Sequence, residues 1–154
     1  MQKALTTKQP WATLIVDGIK DIENRTWKTN YRGRILIHAS EKEDLRWFDK
    51  CNELQYKNIR NYITSVYTKD EYRSTFGSII GSVEITDCVI NHPSIWAEKT
   101  HYEQTNESNP DLEDTTIIYN WVLANPVKFD KPIPMKGKLR LWNVDLEDDI
   151  ELEY

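Results

Sequence analysis

The sequence predicts an α+β domain, a small β-barrel of five to six short strands with two or three flanking helices. Three observations carry this. Short β-rich runs bounded by turn residues recur along the chain, and the longest is broken by an interior glycine, Gly81, as barrel bends require. Apolar residues at helical spacing occupy only two regions. The length of 154 residues, with 39% hydrophobic and 11% aromatic residues, suits one core and excludes a disordered chain.

Ala4-Leu5-Thr6-Thr7 reads as a first strand. Pro10 fits the first turn of a helix, where its missing N–H is no loss, and Trp11, Leu14 and Ile15 share one helical face. Gly18 sits where a left-handed C-cap belongs, so 9–17 is a short amphipathic helix. If 22–27 is a strand, Glu23, Arg25 and Trp27 share one face and Ile22, Asn24 and Thr26 the other. Arg34 to Ala39 is a mostly buried strand after the Arg32-Gly33 turn.

Ser40 with Glu43 forms a capping-box pattern, so a helix is expected near 41. Leu45, Phe48, Cys51 and then Ile59, Tyr62, Ile63 and Val66 keep helical spacing, as one helix or two. Phe76 to Val89 is the strand run containing Gly81. Residues 91–114 read as a loop with a helical turn near Trp96, and Thr115 to Val122 as a strand. Pro126, Pro132 and Pro134 make 125–137 an irregular crossover, and the alternation of Leu139 to Val144 marks the last strand. One domain is expected over 1–146, with an acidic tail at 147–154.

The net charge of -5 argues against coating duplex DNA by bulk charge. Its distribution is uneven, however. Residues 1–40 carry seven basic residues against three acidic ones, whereas 143–154 hold six acids and 103–114 five, with no base in either. Charge runs are commonly solvated faces, the reading preferred for the tail. No apolar run approaches the ~18 residues of a membrane helix and no secretory h-region is visible. Cys51 and Cys88 form no closely spaced pair, so a disulfide framework is not expected. The expected location is cytoplasmic, or nuclear in a eukaryote.

The densest polar cluster runs from Gly18 to Arg25, flanked by Trp11 and Trp27. Lys20 is a point-charge donor and a nucleophile if its pKa falls. Glu23 accepts hydrogen bonds or moves protons, Arg25 grips a phosphate or holds Glu23, and indoles offer stacking surfaces. By composition and spacing alone the plainer reading is preferred, a surface salt-bridge cluster with the tryptophans in the core.

Gly18, Lys20, Glu23 and Arg25 form G-x-K-x-x-E-x-R, and the flanking blocks fall in order. They are Gln9 to Ala12, Arg32 to Ala39, Gly77 to Cys88, Asn125-Pro126, and Pro134 to Gly137 before Leu141-Trp142. In these features the chain resembles the ASCH domain family of the PUA-like superfamily, nearest its activating signal cointegrator branch, over roughly residues 4–146. The resemblance implies a PUA-like β-barrel related to YTH and EVE domains. It also implies nucleic-acid binding and a motif lining a cleft between barrel and helix. Lys20, Glu23 and Arg25 are carried over as cleft residues, and Trp11, Trp27 and Trp96 are added by adjacency or loop position. Another branch hydrolyses N4-acetylcytidine with the motif lysine, a threonine and a later glutamate. Here Glu23 replaces that threonine, and Glu98 and Glu103 are candidates for the glutamate.

His38 is read as a structural histidine in a buried strand, and His92 and His101 match no standard ligand spacing, so no metal and no cofactor are expected. Cys51, Cys88, Trp47, Trp121 and Trp142 are expected to pack. The expected function is binding of RNA, another single-stranded nucleic acid or a modified nucleobase. The alternatives are a small hydrolase of modified nucleosides using Lys20 and Glu23, and a protein-interaction domain using the tail at 145–154.

Overall fold

The computed structural model describes residues 1–101 and 116–146. The elements follow as β1 (Gln2–Gln9), α1 (Trp11–Val16), β2 (Ile22–Arg25), β3 (Gly33–Glu43), a 3-10 turn (Trp47–Lys50), α2 (Glu53–Val66), α3 (Lys69–Ser74), β4 (Ser78–Val89), β5 (Tyr119–Pro134) and β6 (Leu141–Val144). The strands form one mixed sheet in the order β2-β5-β4-β3-β1-β6. β1 and β3 pair in parallel, joined by the crossover through α1 and β2, and the other ladders are antiparallel.

The near-continuous apolar run in β3 reflects burial on both faces. Ile35, Ile37 and Ala39 join Leu5, Val83, Ile85 and Trp121 in one core, which α1 covers with Ala12, Ile15 and Val16. Leu36 points into a second core with Ala4, Ile79, Phe129 and Trp142. The sheet curls between them. Arg25 on end strand β2 donates from Nη2 to the Thr6 carbonyl of β1 at 2.8 Å, and the Arg140 guanidinium before β6 lies 4.8 Å from the Trp27 ring centroid. Side chains thus bridge the ends of the sheet. The expected α+β class holds, and the strands form a curled six-stranded sheet in which, among the described residues, no ladder joins β2 to β6.

Gly81 marks register shifts against both neighbouring strands, as expected of an interior strand glycine. A Cβ there would stand 2.2 Å from the Val127 carbonyl and 2.8 Å from Val16 Cγ1, so only glycine lets β5 and α1 approach.

Several expectations are corrected. The helix expected near 41 is absent because Ser40 to Glu43 continue β3, with Glu43 opposite Gln9. The capping box is Asn52 with Gln55, which opens α2 at Glu53. Leu45 and Phe48 are exposed and Cys51 is half-buried, so the early helical spacing marks no core face. All six residues of α1 are buried, so it is enclosed rather than amphipathic. The crossover expected at 125–137 is largely strand, since β5 runs to Pro134. β2 covers β5 only at Tyr119–Val122, so the later prolines fall where one edge needs no ladder donor. The acidic tail at 147–154 and the Glu103–Asp114 stretch lie outside the described residues.

Candidate functional site

The site begins at the end of α1. Gly18, at φ 78°, lets its own N–H reach the Ile15 carbonyl at 3.1 Å and the Ile19 N–H reach that of Leu14 at 2.9 Å. This Schellman closure reverses the chain and carries Lys20 under the sheet edge before β2 starts. Lys20 is 7% exposed; its ammonium donates to the Ile22 carbonyl and lies 5.7 Å from the Trp11 ring centroid. Burial pulls its pKa below the ordinary lysine value, with Glu23 and Glu98 pulling the other way.

Glu23 and Arg25 share a face of β2, as alternation requires. Arg25 Nε donates to Glu23 Oε1 at 3.0 Å, and its Nη2 also reaches Thr7 Oγ1 at 3.3 Å. Glu23 is 7% exposed, and its Oε2 is buried with no hydrogen-bond partner. Such an acceptor inside a protein is costly unless something else satisfies it.

Asn24 and Asn120 pin the 91–100 loop against β2. Asn24 Oδ1 accepts from the Glu98 N–H at 3.0 Å, and its Nδ2 donates to the Trp96 carbonyl at 3.0 Å. Asn120, 0% exposed, donates to Asn24 Oδ1 at 2.9 Å and to the Glu98 carbonyl at 3.0 Å, and accepts from the His92 N–H at 3.0 Å. Ser94 Oγ donates to Asp21 at 2.6 Å. On the opposite wall Trp11 Nε1 and Lys50 Nζ both donate to Asp44 Oδ2, at 2.9 and 2.8 Å. Burial would raise the Asp44 pKa; hydrogen bonds from Lys50, Trp11 and the Arg46 backbone outweigh it and hold the carboxyl below its usual value.

These walls enclose a cavity of about 240 Å³ lined by Trp11, Lys20, Glu23, Asn24, Lys50, Gln55, Trp96 and Glu98, among others. A more open groove of about 390 Å³ adjoins it and shares Trp11, Glu23, Asn24 and Lys50. Trp11, Lys20, Glu23 and Trp96 therefore converge, while Arg25 lines the groove with its guanidinium engaged by Glu23 and β1. Trp27 lies beyond the end of β2 and outside both cavities, edge-on to Trp121 at 4.6 Å. Of the two candidate glutamates, Glu98 lines the cavity and Glu103 lies outside the described residues. Asn24, inside the motif, was legible by position. Asp44, Lys50, Gln55 and Asn120 carried no local signal, because they arrive from distant elements.

His38 is buried between Thr6 Oγ1 at 3.3 Å and the Met135 carbonyl at 2.7 Å, a structural placement. Among the described residues no group of three His, Cys, Asp or Glu side chains is placed to hold a metal ion, and no helix is long and apolar enough to cross a membrane.

The ASCH domain model matches residues 5–133. The chain is similar to activating signal cointegrator 1 of Homo sapiens, 31% identical over 144 residues, covering 92% of this chain and 22% of that protein. The Mus musculus protein of the same name matches with the same identity and coverage. The chain thus spans about a fifth of the length of these curated relatives. Among solved structures it is similar to a mutant of the ASCH protein of Zymomonas mobilis, with a TM-score of 0.50 and 14% identity, covering 94% of this chain and 90% of that one.

Proposed function

Because the chain belongs to the ASCH domain family, we propose that its cleft binds nucleic acid by taking one nucleobase, plain or modified, from RNA or another single strand. The observation that carries this is the convergence of Lys20, Trp11 and Trp96 around the unpaired, buried Oε2 of Glu23. Every nucleobase with an amino or imino group offers the N–H that this oxygen lacks. Lys20 retains protons for a base carbonyl, and the indole walls supply flat apolar surface; stacking contributes roughly 1–3 kcal/mol per base. Arg25 acts here as a positioning residue, since its fork is spent on Glu23 and Thr6.

The test is a fluorescence titration with short RNA and single-stranded DNA at low salt. Glu23→Gln is expected to weaken binding roughly tenfold or more, the cost of a charge-assisted hydrogen bond. Absence of binding to either strand overturns the reading.

A second reading is hydrolysis of an N4-acylated cytidine, favoured by the desolvated Lys20 with Glu98 in the same cavity. Water adds to the acyl carbon, Lys20 takes its proton, the C–N bond breaks, and the leaving nitrogen takes a proton from the site, giving the free amine and the carboxylate. The resemblance implies a threonine where Glu23 stands, so this chemistry would proceed without that hydroxyl. Incubation with N4-acetylcytidine decides it: cleavage by the wild type, at least about a hundredfold slower in Lys20→Ala, is expected. No cleavage, or equal rates, rules it out.

A further inference from the structure

The groove beside the cavity has a composition the cavity does not explain. Its rim carries Lys8, Lys138 and Arg140 besides Arg25 and Lys50. Arg25 and Lys50 have carboxylate partners in Glu23 and Asp44. Lys8, Lys138 and Arg140 are exposed, and none takes part in an ion pair among the described residues. Two of them are instead held against indoles, Lys138 Nζ at 6.0 Å from the Trp142 ring centroid and Arg140 at 4.8 Å from that of Trp27. A ring face orients a cation while leaving its full charge available to an anion. Arg140 also carries φ 61°, a left-handed conformation that arginine seldom adopts, and the 138–140 turn is thereby set at the groove edge. Thr6, Thr7 and Ser40 also line the groove, the first two held by the Arg25 fork.

We infer that this groove is a phosphodiester site, in which Lys8, Lys138 and Arg140 hold the backbone of the nucleotides flanking the one in the cavity. The inference rests on the reading that the cavity takes a nucleobase, and it narrows the ligand from a free nucleoside to a residue within a strand. The two compartments share the wall of Trp11, Glu23, Asn24 and Lys50, so a strand whose base enters the cavity meets the groove next. A free nucleoside has nothing to place there. No basic motif marks the groove because Lys8, near the end of β1, lies far in sequence from Lys138 and Arg140, which precede β6.

The experiment compares wild type, the Lys138→Ala/Arg140→Ala double variant and Lys131→Ala, an exposed control outside the groove. The probes are a random-sequence eight-nucleotide RNA and the four ribonucleosides at millimolar concentration. The double variant is expected to bind the RNA roughly tenfold or more weakly at low salt. Its log–log salt slope should be shallower by about 1 to 1.5, given about 0.7 per phosphate on single strands. Nucleoside binding should be unchanged, and Lys131→Ala should match wild type throughout. Circular dichroism verifies that both variants are folded. RNA affinity and salt slope equal to wild type in the double variant overturn the groove assignment, as does an equal loss in Lys131→Ala. Competition by a polyglutamate peptide as effective as that by RNA of equal charge also overturns it. Failure of the nucleosides to bind, with the RNA response intact, instead overturns the cavity reading and leaves the groove standing.

Discussion

Lys20 is 7% exposed, and burying an ammonium there costs stability that the Ile22 carbonyl, Glu23 and Glu98 offset only in part. Its pKa is below the ordinary value of 10.5 in the fold, so between the two values the unfolded chain binds more protons. Stability attributable to Lys20 therefore rises with pH over that interval. Lys20→Met is expected to lose ligand binding, raise the urea midpoint at neutral pH and flatten the pH dependence below about 10. A lowered midpoint would mean that Lys20 is a structural prop. The sequence exposed Lys20, Glu23 and Arg25 together because motif spacing puts them on one short turn and strand. It gave no means of dividing their roles: Arg25 turns out to be spent on β1, which only the curl of the sheet brings within reach.

At the scale of elements, α2 packs Ile59 against Trp11 and Leu14 of α1, and one carboxylate ties the two helices at their ends. Asp17, the C-cap residue of α1, accepts from Tyr62 at 2.8 Å and from Tyr67 at 2.6 Å on the same oxygen. Burial and then the Asp17 bond push both phenols up, Tyr62 to about 12 and Tyr67 further, from an ordinary 10.0. The fold holds these protons more tightly than the unfolded chain. Their stabilisation is complete below pH 10 and is lost as pH climbs through about 12. Tyr67→Phe is expected to cost about 1–2 kcal/mol at neutral pH and to make the alkaline decline shallower, both read from denaturant melts. An unchanged alkaline limb would show that the Asp17 link is not what titrates. The start of α1 and its glycine stop were legible because Pro10 and Gly18 act through local backbone geometry. The helix expected at Ser40 was not there, since pairing of Glu43 with Gln9 extends β3 past the local cap signal.

Over the whole molecule, the cleft is assembled from β1, β2, the ends of α1, the region from Asp44 to Gln55, the 95–98 loop and the 138–140 turn. Arg25 ties the first two across the curl. Arg25→Ala would leave Glu23 buried without its ion pair and free β2 from β1. It is expected to cost about 2–3 kcal/mol, reduced from the fully buried case because the arginine is about a quarter exposed. Hydrogen exchange should quicken in β2 more than in β4. Arg25→Lys is expected to recover only part of the loss, because an ammonium cannot span Glu23, Thr6 and Thr7 together. Uniform exchange in all strands would show that the arginine clasps nothing in particular. Lys8, Lys20 and Arg25 from the basic first forty residues meet Lys50, Lys138 and Arg140 at this cleft, so a chain of net charge -5 still presents cations at its candidate site.

The sequence by itself determined the family, the α+β class, the strand at 34–39, the α1–Gly18 turn and the grouping of Lys20, Glu23 and Arg25 on one turn and strand. These rest on short-range periodicity, turn chemistry and motif spacing, which act within a few residues. Tertiary structure alone decided the curl of the sheet, the sixteen-residue course of β5 through its prolines and the departure of Trp27 from the cleft. It also brought Asp44, Lys50 and Asn120 to the walls. Those outcomes depend on which strand lies beside which, and on which partner reaches a buried polar group first, and neither is encoded in neighbouring residues.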